Sequence, residues 1–482
     1  MKKITFVDTT LRDAHQSLWN GRMTTAMMLS IAEAIDEVGF EASDFMALIS
    51  MDWCVRHLKE NPWDRIRLMA SKMPNTPLIT GGVLRNFGDV PDSITEFLIK
   101  KIAEAGAKRI RINDPCHDIH QITKAIKWSK AAGLTTMAAL IYSYSPVHTD
   151  AYYGQKALEI AMAGVDRIFI KDVGGLLTPE RTRTLVEAVI KKIDGIPLEI
   201  HAHCTTGLAP ICYLEAIKHG AATVHTAVMP LANGPSQPST ENIVKNAKRL
   251  GFSINIDEKK MKTMSDHFRY VARREGFPMG VPVEYDLFQF EHQVPGGMMA
   301  NYRAELVSRG LDHRLEECLE EIARIRRELG YPIMVTPLSQ YIGTQAVLNL
   351  AAGQRYQVVT DEIIKYALGH YGELIAPVDR DVMDRIMKLP RTKELTNWQP
   401  PQFSIEELRR EFGPVSDEEF LLRVLSSNRK AVDEVLSMGP RNYSYPRGDK
   451  PVLSLIRELG ERGDSAYIHV SKGDFSLTFS SM

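Results

Sequence analysis

Cysteine is scarce in this chain. Five occur, Cys54, Cys116, Cys204, Cys212 and Cys318, scattered and odd in number, with no CxxC pair. That leaves no disulfide framework and no paired-cysteine zinc motif, and it fits a reducing, cytoplasmic setting. An excess of charge of either sign is also lacking: 59 Lys and Arg face 60 Asp and Glu. Nothing therefore points to a nucleic-acid groove or a polybasic membrane surface. Apolar runs stay far below the ~20 residues of a membrane span. Met1-Lys2-Lys3 leads straight into ITFVD, which is not how a secretory signal begins. Repeats and low-complexity tracts are absent. What remains is an ordinary soluble composition, 44% hydrophobic and 25% charged, over 482 residues. That length suits two or three domains and a large core without disulfide support.

The first ~250 residues alternate short strand-like runs with amphipathic helical stretches, the pattern of a parallel α/β fold. The predicted strands are 4–8 (ITFVD), 45–49 (FMALI), 77–84 (PLITGGVL), 109–114 (RIRIND), 135–143 (TTMAALIYS), 167–172 (RIFIKD), 198–203 (LEIHAH) and 223–229 (TVHTAVM). Segments such as DSITEFLIKKIAEAG and QKALEIAMAG separate them, with apolar residues at helical spacing and a closing glycine. Eight strands in this alternation predict a TIM (β/α)8 barrel over 1–255 rather than an open sheet. The rest is predicted mostly helical. A connection over 256–310 is broken by HQVPGGMMAN, and a C-terminal domain over 311–440 opens with the charged LDHRLEECLEEIARIRRELG. A tail over 441–482 carries the alternating AYIHVSKGDFSLTF, which suits a small hairpin.

Polar or ionisable residues gather where the predicted strands end: Asp8, Asp114, Tyr142, Lys171, His201 and His203. In a barrel those ends converge on one mouth and carry the chemistry. His201 and His203, two apart on a strand, face the same side, so both imidazoles can address one point. With Asp8 they form a donor set suited to a divalent ion such as Zn, Mn or Co, leaving positions open for substrate. An HxH pair alone can arise by chance on a half-polar strand; its coincidence with Asp8 at one end of the barrel favours the metal. Lys171 closes the apolar run IFIK and is open to two readings. One is an ion pair, for instance with Asp172; the other is a functional amine whose pKa burial lowers. A neutral lysine can take up CO2 as a carbamate and become an anionic ligand. Cys204 should point away from both histidines and serve packing. His117 and His120 suit a loop or helix start, His148 and Asp150 a loop over the substrate, and the charged run at 311–329 a solvated helix face.

Taken together, the motifs DTTLRDAHQSL (8–18), ENPWDRI (60–66), IKDVGGLLTP (170–179), HAHCTTG (201–207), SQPS (236–239), VPGGMMAN (294–301), VTPLSQYIGTQAV (335–347) and ALGHYGELIAPVD (367–379) resemble one family in order. It is the biotin-dependent carboxyltransferases: the carboxyltransferase domain of pyruvate carboxylase, the α subunit of oxaloacetate decarboxylase and the barrel subunit of transcarboxylase. The resemblance implies that Asp8, a carboxylated Lys171 (N6-carboxylysine), His201 and His203 bind the metal. It places Gln16 near the substrate, and Arg85 as an acceptor-binding arginine once a two-residue slip is allowed. Asp114 and Tyr142, at strand ends, join the predicted substrate residues. The implied reaction moves a carboxyl group between carboxybiotin and an enolisable acceptor such as a 2-oxo acid.

Departures concern the acceptor. Met46-Ala47-Leu48-Ile49-Ser50 stands where the family has Trp-Gly-Gly-Ala-Thr, Val83-Leu84-Arg85-Asn86 where pyruvate users have Leu-Arg-Gly, and Pro235 where they have a proton-relaying threonine. An acceptor other than pyruvate is therefore expected. The Met-Lys of a biotinyl domain lacks its Ala and Met flanks here, and no biotin-carboxylase segment occurs. That implies a biotin carboxyl carrier protein and carboxylase or decarboxylase subunits on separate chains, and by analogy a homodimer. The competing readings are an aldol or Claisen enzyme of the 3-hydroxy-3-methylglutaryl-CoA lyase type, which shares DTTLRD and HxH, and a non-catalytic paralogue.

Overall fold

The structure is a computed structural model that describes residues 2–83, 90–426, 428–439, 441–450, 452–453, 455–456 and 467–480. Eight parallel strands form the barrel: β1 (Lys3–Asp8), β2 (Ala42–Asp44), β3 (Leu78–Val83), β4 (Arg109–Asn113), β5 (Thr135–Ile141), β6 (Arg167–Asp172), β7 (Leu198–Ala202) and β8 (Thr223–Thr226). β1 pairs with both β2 and β8, which closes the sheet on itself. A short β9 (Ser253–Ile254) adds to the first residues of β1. Gly106, Gly133 and Gly164 take positive φ just past the helices Asp92–Glu104, Ile119–Ala131 and Asp150–Met162, the stop signal anticipated from sequence. At the other helix ends, Asp118, Thr149 and Thr178 side chains accept backbone N–H groups.

Strand parity divides the core in two. Val7, Ala42, Ile79, Met137, Ala139, Ile141 and Phe169 fill the barrel interior. Phe6, Ile110, Ile112, Leu140, Ile168 and Ile200 face the helical ring instead. The second strand is three residues earlier than expected. Ala42 fits the interior, Ser43 bonds Asp8, and Asp44 pairs with Arg111 across the barrel, so the small polar ASD is the strand. The apolar FMA that suggested a strand lies buried just beyond it, and 48–53 is helical.

Beyond the barrel, a long helix (Glu258–Glu275) lies against it, followed by extended chain and the helices Gly296–Ser308, Leu315–Glu328 and Leu338–Ala352. These last three, with residues as far as Leu395, share a second core around Tyr302, Ile322, Ile342 and Ile364. Ile333 and Val335, between two of those helices, join the barrel-interior cluster with Val173, so this region plugs the mouth. Arg326 ties the regions together, its Nη2 donating to Ser143 Oγ and Tyr144 O, each at 2.9 Å, just past β5. Helices Asp417–Leu425 and Arg429–Ser437 return to the outside of the barrel, where Phe420 and Val432 enter its core. The tail forms the hairpin β10 (Tyr467–Lys472) and β11 (Phe475–Ser480), as the alternation predicted. No helix among the described residues is long and apolar enough to cross a membrane.

Candidate active site

β6 and β7 run in register with Lys171 opposite His201, so both side chains, and His203 two residues on, share the inward face at the barrel mouth. The carboxylate that meets them is Asp13. Its Oδ2 lies 3.0 Å from His201 Nε2 and 3.7 Å from His203 Nε2. Among the described residues, Asp13, His201 and His203 are the group whose metal-ligating atoms all fall within 4.8 Å of one another.

Asp8, expected in that place, is elsewhere. Its Oδ1 accepts from Thr10 N at 3.0 Å and its Oδ2 from Ser43 Oγ at 2.9 Å. Parity is the reason: Val7 points into the barrel, so Asp8 points outward with Phe6. A turn of π-helix over Thr10–Ala14 then brings Asp13 back over the mouth. Standing at a strand end did not suffice; the alternation applied to HAH also decides ITFVD, and it leaves the later acid of the same motif.

The site is densely charged and buried. Arg12 Nη1 lies 2.9 Å from Asp13 Oδ2 and 3.7 Å from Asp44 Oδ2, and Asp44 also pairs with Arg111. Burial alone would raise the Asp13 carboxyl, but Arg12 and the two histidines hold it well below the carboxylate range. Burial, then Arg111, pushes the Lys171 amine down to about 7, against the pull of Asp13. The alternative partner for Lys171, Asp172, stands on the opposite parity of β6, and its Oδ2 accepts from Leu177 N at 2.8 Å, holding the loop that follows β6. In that loop Gly175 takes φ +64°, and a Cβ there would sit 2.2 Å from Thr205 Oγ1.

Hydrogen bonds fix the imidazoles. His203 Nδ1 donates to Pro235 O at 2.6 Å, which leaves its Nε2 a lone pair. Gln237 of the SQPS motif, fully buried, accepts from Thr9 Oγ1 at 2.8 Å and sets its amide nitrogen 3.1 Å from His203 Nε2 and 3.4 Å from His201 Nε2. His201 Nδ1 faces His225 Nδ1 at 3.3 Å, and His225 Nε2 meets Glu199 Oε2 at 2.7 Å. Sequence reading missed Asp13, Glu199, His225 and the role of Gln237. Glu199 carried a signal, since it shares the parity of His201 and His203.

Of the predicted substrate residues, Gln16 follows Asp13 on the short helix His15–Trp19, with its Oε1 buried and unpartnered. Asp114 Oδ1 accepts from Cys116 N and Asp118 N, each at 2.9 Å, shaping the loop after β4. Tyr142 OH accepts from Arg181 Nε at 3.3 Å. Arg85 lies outside the described residues. Cys204 is buried in the cluster facing the helices, away from both histidines. His117 is a loop residue: its Nδ1 meets Tyr152 OH at 2.9 Å and its Nε2 accepts from Ile141 N at 2.8 Å. His120 is exposed at a helix start, His148 Nδ1 bonds Ser145 Oγ at 2.7 Å, and Asp150 pairs with Arg181.

Comparison with known proteins agrees with this architecture. A family described as HMGL-like matches residues 3–267, and one described as conserved carboxylase domain matches residues 290–426. A pyruvate carboxylase subunit of Methanocaldococcus jannaschii is 39% identical over 429 residues, 87% of this chain and 75% of that protein. The 2-oxoglutarate carboxylase large subunit of Hydrogenobacter thermophilus is 32% identical over 394 residues, 80% of this chain and 60% of that one. The carboxyl transferase domain of Rhizobium etli pyruvate carboxylase, solved with oxamate and biotin, superimposes with a TM-score of 0.82 at 23% identity, over 91% of this chain and 79% of that one. The barrel match alone would suit a lyase of the wider group, but the second family match and these relatives do not: the chain belongs to the biotin-dependent carboxyltransferase family, whose members move a carboxyl group between carboxybiotin and an enolisable acceptor.

Proposed function

We propose that this chain is a metal-dependent carboxyltransferase subunit in which Asp13, His201, His203 and a carboxylated Lys171 hold one divalent ion, Zn, Mn or Co. The observation that carries the reading is the convergence of the Asp13 carboxylate and two imidazole Nε2 atoms on one buried point at the barrel mouth. One carboxylate with two imidazoles fits such an ion chemically. Lys171, lowered to about 7, has an amine free enough of its proton to add to CO2, forming a carbamate and releasing H+. When bound, the ion supplies Lewis acidity at the reacting carbonyl.

The chain's own residues do the rest. Arg12 and Arg111 place positive charge beside the site, with Arg12 Nε and Arg111 Nη2 buried and unpartnered, which suits the carboxylate of a 2-oxo acid. Gln16 offers an unpartnered Oε1 at the same mouth, and Arg85, Asp114 and Tyr142 complete the proposed acceptor-binding set. The plug formed by Ile333 and Val335 limits water at the mouth, which protects an enolate from protonation. A buried Met46 and the Pro235 carbonyl, spent on His203, favour an acceptor other than pyruvate.

Biotin would arrive on a carrier protein belonging to a separate chain, with a biotin carboxylase or a decarboxylase subunit; that both relatives named above are themselves designated subunits supports this. A homodimer is supported by the exposed apolar row Met279, Val281, Val283, Tyr285 and Leu287 on the extended segment after the long helix. A cytoplasmic location is supported by five free thiols. The barrel over 1–255 would carry the chemistry, 256–310 the connection and 311–440 the helical C-terminal domain, of which the part up to Leu395 would cover the mouth, with 441–482 as a tail. The test is carboxyl exchange between free carboxybiotin and a panel of 2-oxo acids, amides and acyl-CoAs. Biotin-dependent exchange with a 2-oxo acid is expected; metal-loaded protein that exchanges none of them contradicts the reading.

A further inference from the structure

β4 brings to the mouth a polar side chain that has had no role so far. Arg109, Arg111 and Asn113 alternate with Ile110 and Ile112, which face the helices, so all three point inward. Barrel strands tilt, and a shear of about eight lifts the axial level by about one residue per strand. The Asp44–Arg111 ion pair obeys that rule. The rung from Asp44 runs through Ile79 to Arg109, and the pair is made two residues further on. One rung beyond Ile112 and Ala138, the line from Asn113 runs through Ala139 to Phe169, and two residues further on stands Lys171. Asn113 and Lys171 therefore share a level at the mouth, above Arg111. Asn113 is 6% exposed, and its Oδ1 has no hydrogen-bond partner among the described residues; Arg111 Nε and Nη2 have none either. By the same step, β3 and β5 place Gly81 and Ala139 between those two levels. A Cβ on Gly81, at φ +104°, would lie 2.3 Å from Arg111 O, so no side chain can fill that space.

We propose that Asn113 is a specificity-determining residue of the acceptor site, and that the acceptor is a 2-oxo acid with a hydrogen-bonding group beyond its reacting carbon. The inference rests on the function proposed above and narrows its substrate class. The acceptor's carboxylate lies on the free nitrogens of Arg111, deeper in the barrel, and its far end reaches Asn113. The two levels are about 5–7 Å apart, the reach of a chain of a few carbons. A side-chain amide can turn its oxygen to accept from a hydroxyl or its NH2 to donate to a carboxylate. Against a terminal methyl it stays buried and unpaired, which weakens binding.

Three acceptors of equal carbon count test this: 2-oxopentanoate ends in a methyl, 4-hydroxy-2-oxopentanoate carries a hydroxyl, and 2-oxoglutarate ends in a carboxylate. Calorimetry on the metal-loaded wild-type protein should show the hydroxyl or the carboxylate acid binding about 10–100-fold tighter than 2-oxopentanoate. Carboxyl exchange with free carboxybiotin should follow the same order. In Asn113→Leu, with an unchanged circular dichroism spectrum, that preference should fall at least ~10-fold. Wild-type protein that exchanges carboxyl with no 2-oxo acid overturns the function proposed above, and this inference with it. Wild-type protein that exchanges carboxyl with 2-oxo acids but binds 2-oxopentanoate as tightly as both others overturns the role of Asn113 alone, whether or not the variant folds. A folded Asn113→Leu that keeps the full preference does the same.

Discussion

Lys171 and His201 occupy one rung of two adjacent strands, facing the same side of the barrel. A parallel ladder in register carries its side chains together, so the amine and the imidazole are brought to the same height by backbone pairing alone. The amine is buried and lowered to about 7, the condition for reaction with CO2 near neutral pH.

Metal affinity should therefore depend on dissolved CO2. Chelator competition in bicarbonate-free and bicarbonate-equilibrated buffer is expected to differ at least ~10-fold for the wild-type protein. It should not differ for Lys171→Ala, whose carboxyl transfer should fall at least ~100-fold. A bicarbonate effect that persists in the variant would place the carbamate elsewhere.

Asp13 and Asp8 stand five residues apart in one motif and should separate cleanly. Asp13→Asn is expected to lose metal and activity together, since it removes the Asp13 carboxylate from the ligand cluster. Asp8→Asn should keep its metal content, because Asp8 serves Thr10 N and Ser43 Oγ. Its cost should be one in stability of about 1–3 kcal/mol, read by denaturant unfolding. The opposite outcome, metal lost from Asp8→Asn and kept by Asp13→Asn, would restore the first reading of the sequence.

Much of the architecture could be read from the sequence because its signal is periodic. Eight strand-like runs, each apolar on at least one parity, define the barrel, and HAH declares two inward imidazoles. Three things were harder to see. ASD forms a strand through pairing with β1 and through the Asp44–Arg111 ion pair, neither of which is a local property. Asp13 enters the site by way of a π-helical turn whose direction no alternation encodes. His225 and Gln237 act through contacts across strands or from a loop and have no spacing to betray them, and the parity that Glu199 shares with His201 does not reveal its partner on the next strand. Arg85, the acceptor residue inferred by analogy, lies outside the described residues.

Arg326 should be the clamp between the mouth and its helical cover. Burial pushes its guanidinium down to about 10, yet Ser143 Oγ, Tyr144 O and Pro332 O all accept from it. Arg326→Ala leaves Ser143 Oγ and Pro332 O without that donor in a closed space, while Tyr144 O keeps Gln293 Nε2, a loss of about 1–3 kcal/mol. Hydrogen exchange should quicken in 143–149 and in Leu315–Glu328 while β6 and β7 stay protected. Uniform acceleration across the barrel would instead show a global role.

Acid should destabilise the protein through histidines outside the metal cluster. Burial pushes His117 and His148 down to about 3, and His267 and His292 down to about 4. Each binds its proton more readily unfolded, where the ordinary value is about 6.5. The stability they contribute is complete above that pH and drains away as pH falls toward 3–4. Between pH 7 and 5 each should cost about 1–2 kcal/mol. Urea unfolding at both values checks this, and replacing His267 by Gln should flatten the slope; an unchanged slope would show that His267 binds its proton equally in the folded and unfolded states.

The most direct test of the metal centre is anomalous diffraction from crystals grown with a divalent ion and bicarbonate. The expected result is one anomalous peak within bonding distance of Asp13, His201 Nε2 and His203 Nε2, with density extending Lys171 Nζ by a carboxylate. A peak at Asp8, or an empty cluster beside an unmodified lysine, would contradict it.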